Sequence, residues 1–119
     1  IWYETAELMT SDTEEGAAAR AAMGAASGTD QVGFEAQMAA TKLFADPSEA
    51  VAFTSSADLG ATMDLVRAFL FDKGLLTPGA ISQDAIGIEL TDGTILGDTA
   101  NVKFRFDNTF MQMAADGAL

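Results

Sequence analysis

The chain has 119 residues, 49% of them apolar, and its 18 Asp and Glu outnumber 6 Lys and Arg to give a net charge of −12. That length suits one domain with one core, and so negative a field opposes phosphate backbones and anionic membrane surfaces, so nucleic acid is not an expected partner. There is no His and no Cys, which excludes His triads and bases, thiol catalysis, thiolate zinc sites and disulfides.

Ala supplies 23 of the apolar residues, so the first half has little large side chain to bury. The opening run from Trp2 to Met9 reads as helix, with Tyr3, Ala6, Trp2 and Met9 toward one side. No capping residue precedes it and no leader is legible, so the chain is expected to be cut from something longer. Ser11 and Glu14 have the spacing of a capping box and predict an Ala-rich helix over 16–27, stopped at Ser27-Gly28. Thr29 or Asp30 restarts a helix through Phe34, Met38 and Thr41. Asp46-Pro47-Ser48-Glu49 combines a cap, a first-position proline and a completing Glu, and opens a short helix through Val51 and Phe53.

Asp58 is expected to open the most amphipathic helix, with Leu59, Met63, Val66 and Leu70 in one stripe that Leu65 and Phe69 widen. Gly74 ends it, Leu75 folds back on its last turn, and Pro78 prevents continuation. The period then changes. Ile86, Ile88 and Leu90 alternate, Thr91-Asp92-Gly93-Thr94 is a hairpin turn, and Ile95-Leu96 is the return strand. Val102, Phe104 and Phe106 alternate again, and Asp107 caps a last helix through Phe110, Met113 and Ala114 to Gly117. A hairpin of this size needs a partner strand or helical cover, so some faces are expected to pack against chain outside this segment or against a second copy.

Among the carboxylates, Glu14-Glu15, Asp46 and Asp58 read as cap and dipole residues. The turn from Thr91 to Asp98 lacks calcium-loop spacing. Gly87, Gly93 and Gly97 form no phosphate cradle, and Ser55-Ser56 has no base partner. No catalytic residue, metal site or cofactor follows, and an enzyme is not expected. The methionines sit at helical spacings as gap-fillers. One cluster has binding chemistry: Trp2, Tyr3 and Glu4 offer aromatic faces and a carboxylate, the groups that hold a small organic cation.

Several stretches, taken in order, resemble one family: Trp2-Tyr3-Glu4-Thr5, Ala25-Ala26-Ser27-Gly28-Thr29-Asp30, Glu49-Ala50-Val51-Ala52-Phe53 and Thr62-Met63-Asp64-Leu65-Val66-Arg67. Asp72-Lys73-Gly74-Leu75-Leu76, Gly97-Asp98 with 101–107, and Met113-Ala114-Ala115-Asp116-Gly117 complete the series. The sequence is similar to the C-terminal part of a periplasmic solute-binding protein of an ABC transporter, of the nitrate/sulfonate/taurine type and its urea carboxylase-associated branch. The resemblance implies an α/β, two-lobed fold closing on a small solute for a membrane permease. Residues 1–119 would form a single segment of it, mostly helical with a β-hairpin and one further strand: part of a helical lobe over 1–80, then the hairpin, strand and terminal helix over 81–119. The branch implies a small nitrogen-containing solute, urea or guanidinium-like, and a periplasmic location. Its expected partners are the solute, the permease, and the missing N-terminal part of the same protein or a second copy. Binding of a nitrate/sulfonate/taurine-type solute and a free-standing acidic helical interaction module are the alternative readings.

Overall fold

The computed structural model describes all residues, 1–119. It is a mixed helix and sheet structure of six α-helices and one three-stranded sheet. The chain divides into two compact units, Ile1–Glu49 and Ala50–Leu119, so the boundary precedes the change of periodicity near residue 80.

The first unit contains α1 (Trp2–Thr10), α2 (Glu14–Ala26) and α3 (Gln31–Ala39). The Ser11–Glu14 capping box does not form. Ser11 instead closes α1, its amide and its hydroxyl both donating to the Leu8 carbonyl. Thr13 caps α2, its Oγ1 accepting from the Gly16 amide at 3.0 Å. Gly16 is required by contact: a Cβ there would lie 2.8 Å from the Leu8 carbonyl oxygen and 2.7 Å from that of Ser11. Any side chain would push α2 off the end of α1. Of the two expected starts, Asp30 and not Thr29 caps α3, accepting from the Gly33 amide at 2.8 Å. Arg20 ties the three helices together. Its Nη1 donates to the Met9 and Ser11 carbonyls at the end of α1, and its Nε to Glu35 Oε1 on α3. Those carbonyls are among the acceptors that a helix end leaves unpaired. Only Ala6 and Met9 are buried apolar residues here.

Helix α4 (Pro47–Thr54) carries the chain from the first unit into the second, with Asp46 Oδ1 accepting from the Ser48 amide at 2.8 Å. Helix α5 (Ala57–Asp72) is capped by Ser56, not Asp58, the Ser56 hydroxyl accepting from Leu59 N and donating to the Phe53 carbonyl. Its other end forms the expected glycine turn: Leu75 N donates to the Leu70 carbonyl and Gly74 N to that of Phe71. Here the Leu75 side chain stays exposed.

Strands β1 (Gly87–Glu89) and β2 (Ile95–Gly97) pair antiparallel around the Thr91–Thr94 turn, while β3 (Val102–Arg105) adds parallel to the other side of β1. The hairpin therefore gains the partner strand it needed, with β1 central. Ile86 and Ile88 are buried and Leu90 half-buried, as the alternation predicts. Helix α6 (Thr109–Ala115) follows. Asp107 stands one residue before its cap position, Asn108, and accepts from the Thr109 amide and hydroxyl. The Asn108 amide spans back to Thr54 Oγ1 and Ser55 Oγ.

The stripe expected on α5 turns inward only in part. Leu59 is buried and Met63 and Leu70 half-buried, yet Val66 faces out, as do Leu65 at 73% and Phe69 at 58% exposure. Arg67 takes the inward position instead, at 4% exposure. The spacing Leu59, Met63, Arg67, Leu70 is itself a helical stripe, and the charge on it is satisfied by neighbours described below.

Candidate functional site

Successive residues of a helix are turned by about 100°, so Trp2, Tyr3 and Glu4 fan around α1. Trp2 shares a side with Thr5, Ala6 and Met9, and these line one wall of a groove of about 330 Å³ within the first unit. Met23 of α2, Phe34 and Met38 of α3, and Leu43 line the rest, with Gln37 and Thr41 as polar points. Tyr3 is half-buried elsewhere on α1, and the exposed Glu4 carboxylate lies 3.1 Å from the Ile1 amino group. The three residues are thus not gathered into one pocket: Trp2 lines the groove, and Tyr3 and Glu4 do not.

Met9 and Met38 also border a second depression of about 460 Å³, which is polar, with Asp12, Arg20 and Glu35 on its walls. Glu35 is held ionised. Hydrogen bonds from Gln31 and then Arg20 keep its carboxyl below the ordinary value, against a small opposing effect of desolvation. Both bonds, each 2.8 Å, fall on Oε1. The groove was missed in the sequence because Met9, Met23 and Met38 read as fillers of a closed core; Met23 is in fact 47% exposed.

In the second unit the unusual group is Arg67. Its Nη2 bonds Asp64, and its Nη1 donates to Asp84 Oδ1 at 3.0 Å and to the Gln83 carbonyl at 3.2 Å. Burial works to drive its proton off, but the hydrogen bonds to Asp64 and Asp84 outweigh that and hold its pKa above the ordinary value. Nε is buried without a partner. The guanidinium lies against Gly97, at φ +84°, where a Cβ would collide with Arg67 Nη1 and the Ile86 carbonyl oxygen. Asp64 and Arg67 three apart on one helix were the available signal. This packing joins α5 to the segment before β1. No three carboxylates are grouped so as to hold a metal ion, and no helix is long and apolar enough to cross a membrane. No protein-family model matches the chain, and comparisons with curated proteins and with solved structures return no match.

Proposed function

We propose that this chain is part of an extracytoplasmic solute-binding protein of an ABC importer, and that it helps deliver a small nitrogen-containing solute, urea or guanidinium-like, to a membrane permease. The observation that carries the reading is the apolar surface the chain leaves uncovered. In the second unit only Ala50, Leu59, Ile86 and Ile88 are buried apolar residues, while Leu65, Val66 and Phe69 on α5, Phe104 on β3 and Phe110 on α6 face outward. Each Leu or Phe left in water forgoes about 1.5–3 kcal/mol of burial. Several on neighbouring turns of one helix mark a face built to be covered. The remainder of a two-lobed protein supplies such a cover. Both β2 and β3 are edges of the sheet, open to further strands of the same lobe. The ordered series of motifs from Trp2-Tyr3-Glu4 to Asp116-Gly117 supports the same assignment.

In this reading Trp2 offers the solute an aromatic face. Tyr3 and Glu4 face whatever segment lies against the other sides of α1. Calorimetry of the product of the complete reading frame with urea, guanidinium, nitrate and taurine tests the proposal. Saturable heat at one site per molecule is expected with one of the first two. Heat with nitrate or taurine alone would reassign the solute, and no heat with any of the four would overturn the reading. A stable dimer of the 119-residue chain that buries α5 would favour the acidic interaction module instead.

A further inference from the structure

Met9 and Met38 line both depressions of the first unit, so the two adjoin and together make a trough with an apolar end and an acidic end. We infer that this trough is a binding site for an amphipathic organic cation, an amine or guanidine carrying an apolar body. The body would lie among Trp2, Met23, Phe34 and Leu43, and the charged head beside Asp12 and Glu35.

Three observations lead there. First, size and lining: about 330 Å³ of mostly apolar wall lies within the range of small-molecule sites, about 300–1,000 Å³. Three methionines give it an adaptable surface. Second, the polar end has spare carboxylate acceptors. Arg20 Nε and Nη1 are bonded to Glu35 Oε1 and to the Met9 and Ser11 carbonyls, while Glu35 Oε2 and the Asp12 carboxylate make no hydrogen bond. Third, residues 1–49 contain nine carboxylates against Arg20 and Lys42, and Lys42 sits over the Phe44 ring at 5.1 Å. The local field therefore favours a cation and opposes an anion of the same shape. A neutral solute would leave the acidic end unused. An anion would meet the Asp12 and Glu35 carboxylates with Arg20 as the one cation on the same wall.

The inference concerns residues 1–49 and holds whether or not the chain serves an importer. Trp2 is the only tryptophan, so its emission reports occupancy of the trough directly. The 119-residue chain is titrated with 2-phenylethylammonium, with neutral 2-phenylethanol and with anionic 3-phenylpropionate. A saturable change in Trp2 emission is expected with the cation, roughly tenfold tighter than with the alcohol and absent with the carboxylate. D12N and E35Q are each expected to weaken the cation roughly three- to fivefold, the scale of one exposed ion pair, and to leave the alcohol unchanged. D12N is the cleaner variant, because Asp12 has no structural partner to lose. Equal binding of cation and alcohol, preference for the carboxylate, or no saturable change with the cation would overturn the inference. So would Trp2 emission that shifts with protein concentration alongside a sedimenting dimer, which would assign the trough to a second copy.

Discussion

Arg67 buries a guanidinium whose two anions are themselves largely in water: the Asp64 and Asp84 side chains are 49% and 66% exposed. The cost of disturbing it is therefore asymmetric. In D64N/D84N a buried cation loses both counter-charges, and a loss of about 3 kcal/mol or more is expected. In R67M the two carboxylates are left where solvent can reach them, and the expected loss is only about 1–2 kcal/mol. Urea unfolding of both variants checks this; a greater loss in R67M than in the double variant would contradict it. Glu35 gives a second prediction. Its folded pKa lies below the ordinary carboxylate value, so its contribution is complete above that value, about 4.3, and fades as pH falls through the folded pKa. The gap in melting temperature between the wild type and E35Q should be constant from pH 7 to 5 and close below pH 4; a gap that widens on acidification would contradict the assignment. Asp92, bonded by the Thr94 amide, and Asp107, bonded by the Thr109 hydroxyl and amide, are held low in the same way. At this scale Asp30 and Asp46 were legible as caps. Ser11 and Asp58 misled, because Thr13 and Ser56 stand two residues away with equal chemistry. Only the packing of Gly16 against the end of α1, and the bond from Ser56 to Phe53, selects between them.

Among the elements, α5 departs furthest from its sequence pattern. Counting apolar residues finds a stripe through Val66, but burial follows Arg67, because a guanidinium paired with Asp64 and Asp84 and its long stem fill the inward position that Val66 misses by one residue. Leu65 and Phe69 then face out. Replacing both with Ser should change the stability of the isolated chain by less than about 0.5 kcal/mol, as for surface positions. Urea unfolding checks this, and a loss of several kcal/mol would show that the two are core residues after all. The hairpin was legible from Asp92-Gly93 and the Ile86-Ile88-Leu90 alternation. The parallel pairing of β3 was not, since that contact is made between distant segments, through Gly87–Val102 and Glu89–Arg105. Gly97 is the position on which the β2 end depends. G97A meets both an unfavourable left-handed backbone and the Ile86 carbonyl oxygen. A loss of about 2 kcal/mol or more is expected, read as a fall in melting temperature. An unchanged melting temperature would contradict the close packing of Arg67 on this glycine.

For the whole molecule, the acidic composition and the mixed helix and sheet order were readable from the chain, but the division at Glu49–Ala50 was not. Periodicity changes at residue 80, whereas α5 belongs with the strands through Arg67–Asp84 and through Leu90, which lines one depression together with Leu59 and Gly60. The trough was invisible for a related reason: helical spacing shows which methionines share a side, not whether the neighbouring helices close over them. Uncovered apolar faces on α5, β3 and α6 are the basis for reading the chain as part of a larger two-lobed protein. Amide hydrogen exchange tests that most directly, comparing the 119-residue chain with the product of its complete reading frame. Amides of α5 and β3 are expected to exchange at least roughly tenfold more slowly in the larger product, because their outward faces become covered. Equal exchange of these segments in the two proteins would contradict it.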